Sequence, residues 1–183
     1  MFWGRFKDAA CKKSPGRHHR ALLLALAVLI LGLTPACNFK LNDPQKLIPF
    51  LRVELPGWKL AEGYPRANRV QDKGRSFLLA EGLFSSGKST ISVIIRDGEI
   101  APEVAIFKML KESDNEKEYC RRIMVQGFTA VEMVMKEQKF AFLFIKVTDH
   151  CLITMKASEM ADTKVLKDLS NKIDLPRLAG MVK

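Results

Sequence analysis

The sequence predicts an α+β domain: an antiparallel β-sheet of about five to seven strands, with two long helices and one short N-terminal helix packed on it. Three observations lead to this class. Several segments alternate apolar and polar residues, as strands do, two others carry apolar residues at helical spacing, and the strands are joined by short turns, which favour antiparallel neighbours. With 183 residues and 48% apolar composition, the chain is long enough for one such domain and is not disordered as a whole.

Residues 1–36 are interpreted as an export signal that precedes this domain. A basic segment is followed by thirteen uncharged residues, Ala21 to Leu33, which is the arrangement of a secretory signal peptide. The run ends at Thr34-Pro35, before it reaches the ~20 apolar residues that a membrane-spanning helix needs. We therefore divide the chain into a lipoprotein-like signal peptide at 1–36, a short tether at 37–43 and a single domain at 44–183.

The end of this signal resembles the bacterial lipoprotein motif, in which a cysteine is diacylated on its thiol and becomes the first residue of the cleaved protein. Ala36 is the small residue that the motif has before Cys37, whereas Thr34 stands where leucine is preferred and Pro35 is unusual beside it. The resemblance implies lipidation of Cys37 and a lipid anchor in a membrane of the bacterial cell envelope, facing the periplasm or the exterior. Two alternatives stay open: cleavage after Ala36, which gives a soluble periplasmic or secreted protein, and an uncleaved anchor.

The formal charge of +10 suggests nucleic-acid binding only until the signal is set aside. Residues 1–36 hold six of the 30 basic and one of the 20 acidic residues, so the charge of the remainder is about +5. The densest basic stretch after the signal, Lys59 to Arg75, also contains Glu62 and Asp72 and has no aromatic–basic alternation. We interpret it as a solvated loop and expect no nucleic-acid partner.

The first elements of the domain are a short helix and a β-hairpin. Asn42-Asp43-Pro44 provides a capping oxygen followed by a proline in the first turn, which starts a helix, and Pro49 together with Leu55-Pro56-Gly57 keeps it short. From Ser76 onward, two alternating segments are joined by Ser85-Ser86-Gly87-Lys88, which is typical of a hairpin. The alternating residues are Phe77, Leu79, Ile91, Val93 and Ile95.

A helix and a second group of strands follow. Pro102 opens a helix that carries Val104, Phe107 and Leu110 on one side. Strands are predicted over 122–125, 129–136, 140–147 and 152–157, and residues 140–145 are apolar on both faces, as in a central strand. The last helix begins at Asp162, carries Val165, Leu166, Leu169 and Ile173, and ends by Leu175-Pro176.

Four short motifs resemble those of a family of uncharacterised exported bacterial proteins. They are Leu55-Pro56-Gly57-Trp58, Ile95-Arg96-Asp97-Gly98, Gly127-Phe128-Thr129-Ala130 and the terminal run from Ile173 to Leu178. The strand order is also similar, more weakly, to the PsbP-like α+β fold. Neither resemblance implies a catalytic residue.

The segment Gly82 to Ser89 matches the phosphate-loop pattern through Gly82, Gly87, Lys88 and Ser89. That loop binds phosphate when it leads from a strand into a helix, whose first amide groups point at the ligand. Here β-branched residues alternate after Lys88 and predict a strand. We interpret the match as a chance one, in a hairpin turn, and expect no cofactor.

Candidate catalytic and metal-binding residues are few after the signal. His150 is the only histidine there, and at a turn beside Cys151 it is interpreted as a surface residue and not as part of a Cys–His hydrolase. No zinc-type spacing of cysteine and histidine occurs. Methionines 133, 135 and 155 lie on predicted strands and could bind Cu(I) as soft ligands, but core packing is their commoner role.

The remaining cysteines, Cys120 and Cys151, form an even pair in an exported protein, where disulfides are stable. Both start predicted strands, so a bridge between strand ends is one interpretation, and two buried apolar thiols is the other.

The functional prediction is therefore a lipid-anchored envelope protein that acts without catalysis, as a binding or accessory module for an unknown envelope protein or ligand. The predicted contact surface is the exposed face of the sheet together with the loop that holds Trp58 and Tyr64. The alternative is an envelope enzyme that uses carboxylates without histidine, which a deep pocket with two acids would favour.

Overall fold

The computed structural model describes residues 42–100, 104, 105, 107 and 109–182. Its elements are a 3₁₀ helix (Pro44–Leu51), the strands β1 (Lys59–Leu60), β2 (Arg66–Asp72), β3 (Arg75–Ser86), β4 (Ser89–Gly98), β5 (Ser113–Asp114), β6 (Glu118–Val125), β7 (Phe128–Met135), β8 (Phe140–Lys146) and β9 (Cys151–Ser158), and the helices α1 (Lys164–Ser170) and α2 (Leu175–Met181).

All nine strands form one antiparallel sheet. Their order is β1-β3-β4-β9-β8-β7-β6-β5, and β2 also pairs with β3. The pairing of β4 with β9 joins the first hairpin to the later strands, with Val93 opposite Met155 and Ile95 opposite Ile153. The sheet therefore continues from the first hairpin into the later strands without a break.

The predicted fold class is wrong. The described chain is mostly β, with nine strands where five to seven were expected and two helices of seven residues each where long helices were expected. Residues 104, 105, 107 and 109 are also helical, in the segment where the sequence predicts a helix opening at Pro102, a residue outside the described ones.

The missed strands lie at the margins of the sheet. β2 replaces part of the predicted basic loop, and its residues are mostly exposed, so no alternation of apolar and polar residues marks it. β1 and β5 have two residues each, which is too short for any periodic pattern.

The last predicted helix is in fact two helices. α1 ends at Ser170, and α2 begins at Leu175, where the sequence prediction ends the helix. The reason is local: the Asp174 carboxylate accepts a hydrogen bond from the Arg177 amide at 3.0 Å, and Pro176 lies in the first turn. Proline is favoured there because the first amides of a helix have no partner within it.

Other elements are confirmed. The 3₁₀ helix begins after Asp43, whose carboxylate accepts from the Gln45 amide at 2.9 Å, and it contains Pro49. β3 and β4 form the predicted hairpin. β8 lies between β7 and β9 as an interior strand, with antiparallel neighbours on both sides.

The two faces of the sheet are covered differently. On the face that we call the helix-covered face, the 3₁₀ helix, α1 and α2 pack over fully buried residues of the central strands. On the opposite face, Ile100 and Phe107 pack over Val131 and Leu152 in a smaller cluster. The buried strand residues of the helix-covered face include Leu78, Phe84, Ile91, Val93, Ile95, Leu143, Ile145, Ile153 and Met155.

Candidate functional site

Trp58 lies at a tight turn that connects the 3₁₀ helix to β1. The Trp58 amide donates to the Leu55 carbonyl at 3.0 Å, and Gly57 between them has a φ of +80°. Only glycine adopts this left-handed conformation without steric cost. The turn holds the indole partly buried against the core of the helix-covered face, so Trp58 is fixed and still reachable from solvent.

Two surface cavities of about 600 and 390 Å³ share Leu55, Pro56, Trp58 and Lys172 in their walls. Together they form what we call the Trp58 cleft. Their sizes fall within the range of ~300–1,000 Å³ that small-molecule sites occupy. The larger cavity is also lined by Arg52, Val53, Glu54, Leu60 and Phe84, and the smaller one by Val165, Asp168 and Asn171.

The charged residues of the Trp58 cleft differ in whether they have partners. Asp168 accepts from the Lys164 ammonium at 2.7 Å. Within the described part of the chain, by contrast, the side chains of Arg52, Glu54 and Lys172 make neither an ion pair nor a hydrogen bond. Two cations and one carboxylate therefore border a mainly apolar cleft with their charges uncompensated by neighbouring side chains.

Tyr64, the other aromatic of the predicted contact loop, does not line the Trp58 cleft. The Arg66 guanidinium lies over its ring, 4.9 Å from the centroid. Of the two aromatics, therefore, Trp58 belongs to the cleft and Tyr64 does not.

A second cavity, of about 360 Å³, surrounds the buried carboxylate of Glu132. Glu132 lies on β7 and accepts hydrogen bonds from the Tyr119 hydroxyl and from the Thr163 hydroxyl at 2.6 Å, and the Lys167 ammonium lies 3.1 Å away. Burial by itself raises the pKa of Glu132, but these three donors outweigh it and the net pKa is lowered. Burial and the neighbouring carboxylate raise the pKa of Tyr119 to about 12. Sequence reasoning missed this cluster, although a glutamate inside an apolar strand was a usable signal.

The Glu132 cavity brings several acids together, as the enzyme alternative requires. Asp114 and Asp162 also line it. Asp114 pairs with the Lys136 ammonium at 3.4 Å, and Asp162 accepts from the Lys164 amide at 2.8 Å. Because every one of these carboxylates has a partner, the cavity supplies no particular support for acid–base catalysis.

His150 is hydrogen-bonded instead of standing alone at its turn. Its Nδ1 lies 2.9 Å from an oxygen of the buried Asp97, which is paired in register with Cys151. Burial raises the pKa of Asp97, and the bond to His150 partly offsets the rise. Burial also raises the pKa of the Cys151 thiol well above its usual value, whereas a nucleophilic cysteine needs a lowered one. The arrangement does not suit a Cys–His nucleophile.

The fold does not bring Cys120 and Cys151 together. Both are buried free thiols. Cys120 is in line with Met133, Phe142 and Lys156 across the sheet, so three strand spacings, ~14 Å, separate it from β9. Lys156 therefore shares the face of Cys120, and Cys151, five residues from Lys156 on β9, lies on the opposite face. A disulfide needs Cα atoms within ~7 Å, so these two thiols cannot form one in this fold.

The predicted copper ligands are likewise divided between the faces. Met155 is fully buried on the helix-covered face, while Met133 packs with the smaller cluster on the opposite face. Met135 shares the face of Met133, since the two are two residues apart on β7. In the described ranges, no group of three or more His, Cys, Asp and Glu side chains could hold a metal ion.

The phosphate-loop match lies in the β3–β4 hairpin. Ser86 pairs with Ser89 across the two-residue turn Gly87-Lys88, and β4 follows directly. Gly82 is an interior residue of β3 that faces the 3₁₀ helix, since a Cβ added to it would lie 3.6 Å from the Leu51 side chain. No helix begins at this loop, so its amides lack the arrangement that binds phosphate.

Cys37 and the whole predicted signal lie outside the described residues. No helix among the residues that are described is long and apolar enough to cross a membrane. Comparison of the chain with models of known families, with curated protein sequences and with solved structures found no match.

Proposed function

We propose that this protein is an exported, lipid-anchored binding module of the bacterial cell envelope, that Cys37 carries the anchor and that the Trp58 cleft is the binding site. The observation that carries the binding role is the cleft itself: a tryptophan packed against the core lies in mainly apolar walls, and the charges of Arg52 and Lys172 have no side-chain partner among the described residues. Exposed cations beside a concave apolar surface are typical of recognition sites.

The binding role is tested by identifying what the protein retains. The full chain is expressed in a bacterial host, purified from the envelope fraction in mild detergent and extracted with organic solvent, and the extract is analysed by mass spectrometry. A compound recovered from wild type and lost in Trp58→Ala supports the proposal. Tyr64→Ala is the matched control, because it removes an aromatic from the same loop that does not line the cleft. Equal recovery from wild type and both variants rules out the cleft as the site.

The anchor is tested separately by metabolic labelling with an alkyne fatty acid. We expect label on wild type and none on Cys37→Ala, whose thiol cannot be acylated. Absence of label on wild type, or equal label on both proteins, rules out lipidation of Cys37 and leaves the binding role to the first experiment.

A further inference from the structure

We propose that the Trp58 cleft binds a single-chain anionic amphiphile, an alkyl chain that ends in a carboxylate or a phosphate. This inference rests on the proposed function and names its ligand class. Trp58, Val53 and Leu60, all half-buried, supply apolar surface for the chain. Arg52 and Lys172 supply positive charge for the anionic group.

The charge balance of the larger cavity favours an anion, and Asp168 in the smaller cavity is already paired with Lys164. The larger cavity has Arg52 and Lys172 against Glu54, a net charge of +1, and none of the three is neutralised by a neighbouring side chain in the described structure. Arginine and lysine form charge-assisted hydrogen bonds with carboxylates and phosphates. Glu54 should weaken anion binding, which gives the inference a variant whose effect has the opposite sign.

When Cys37 carries the anchor, the number of residues between Cys37 and Arg52 limits the distance between the cleft and the bilayer. Six residues lead from Cys37 to Asp43 and span at most ~20 Å, even fully extended. The eight residues of the 3₁₀ helix, Pro44–Leu51, add ~16 Å at ~2 Å per residue, and Arg52 follows directly. The cleft therefore lies within ~40 Å of the membrane that would supply such amphiphiles.

The fluorescence of Trp58 reports binding directly. The chain has two tryptophans, Trp3 and Trp58, so a full chain with Trp3→Phe has one, inside the cleft. This protein is titrated with laurate and with dodecyl phosphate below their micelle concentrations. The comparison arms are inorganic phosphate, dodecyltrimethylammonium, dodecyl maltoside and phosphatidylglycerol vesicles.

We expect saturable changes with laurate and dodecyl phosphate, no response to inorganic phosphate, and at least tenfold weaker binding of the cationic and neutral amphiphiles. Lys172→Glu should raise the Kd for both anions at least tenfold, and Glu54→Gln should lower it severalfold. Lys88→Glu, the same charge change at an exposed turn outside the cleft, should leave the Kd unchanged. Since all three substituted side chains are exposed, the variants should unfold at the wild-type temperature.

Three results overturn the inference: equal affinity for anionic and cationic amphiphiles, an unchanged Kd in Lys172→Glu, or a response to vesicles alone, which would indicate membrane docking. If neither anion binds but the extraction still recovers a ligand that depends on Trp58, only the ligand class is wrong. If that recovery also fails, the proposed function fails with it.

Discussion

Replacing Glu132 by glutamine should destabilise the protein by ~2–3 kcal/mol at pH 7. The buried carboxylate accepts from Tyr119, from Thr163 at 2.6 Å and from Lys167 at 3.1 Å. Glutamine keeps one acceptor oxygen but places an amide nitrogen where the other oxygen stood. Hydrogen bonds to a charged group contribute ~1.5–3 kcal/mol, and the Lys167 side chain, 44% exposed, adds at most ~1 kcal/mol because solvent screens it.

The loss should depend on pH in a definite direction. The folded-state pKa of Glu132 is lowered, so its ionised form stabilises the fold at any pH above the unfolded value of ~4.3. That stabilisation disappears as the pH falls through the lowered folded-state pKa. The difference between wild type and Glu132→Gln should therefore be largest at neutral pH and shrink below about pH 4.

Urea unfolding followed by circular dichroism at pH 7 and at pH 3 measures both effects. In thermal unfolding at pH 7, the same loss of stability corresponds to a fall in Tm of about 5–10 °C. Glu137→Gln is the control, since Glu137 is exposed in the β7–β8 turn and should change the free energy of unfolding by less than ~0.5 kcal/mol. A loss of that small size in Glu132→Gln, or a loss equal at both pH values, would refute the argument.

Three further predictions concern glycines and thiols. Gly98→Ala should cost more than ~2 kcal/mol in urea unfolding, because Gly98 has a φ of +137° and an added Cβ would lie 2.8 Å from the Phe77 Cα and the Ser76 oxygen; a loss below ~1 kcal/mol contradicts this. Gly87→Ala should cost only ~1–2 kcal/mol, since its φ of +57° is strained for alanine but nothing lies within 4 Å; a loss as large as that of Gly98→Ala would show that the clash is irrelevant. Alkylation of the unreduced, denatured chain followed by peptide mass spectrometry should find Cys120 and Cys151 both modified, whereas a peptide pair joined through them would contradict their placement on opposite faces.

The fold was predictable where one face of a strand is buried and the other is not. In β4 the predicted residues Ile91, Val93 and Ile95 are the buried ones, and the hairpin was found from such alternation. In β3 the face was predicted wrongly: Phe77 and Leu79 are only half-buried, and the fully buried face is the one that carries Leu78, Ala80 and Phe84. β2 gives no such signal because it is an edge strand with five of its seven residues exposed, so its sequence resembles that of a loop. Pro176 is compatible with the end of one helix or the first turn of another, and the Asp174 cap decides between them only once the backbone is known.

The candidate site was predictable only in part, because it is assembled from distant segments. Trp58 could be singled out from its aromatic character in a loop. Lys172 follows α1, more than a hundred residues later in the chain, and only the packing of α1 on the sheet brings it to the same cleft. Glu132 did leave a local signal, since a glutamate between Val131 and Met133 in an apolar strand indicates a charge that is buried with partners.

The turn that precedes β7 should control the ligand affinity of the Trp58 cleft from outside it. The side-chain amide of Gln126 donates to the carbonyls of Ser170 and Ile173 at 2.9 and 2.8 Å, the residues that flank Asn171 and Lys172. These bonds fix the segment that presents Lys172 to the cleft. Gln126→Gly removes them, and its φ of +49° suits glycine, so we expect the Kd for laurate to rise about three- to tenfold while the free energy of unfolding falls by less than ~2 kcal/mol.

A double-mutant cycle separates this positioning effect from a general loss of stability. If Gln126 acts by placing Lys172, then Gln126→Gly should have almost no further effect on the Kd in a Lys172→Glu background, because the charge it positions is gone. Additive effects of the two substitutions, or an unchanged Kd in Gln126→Gly alone, would show that the Ser170–Ile173 segment keeps its place without Gln126. The prediction depends on the cleft being the binding site, so its reference is the titration of wild type with laurate.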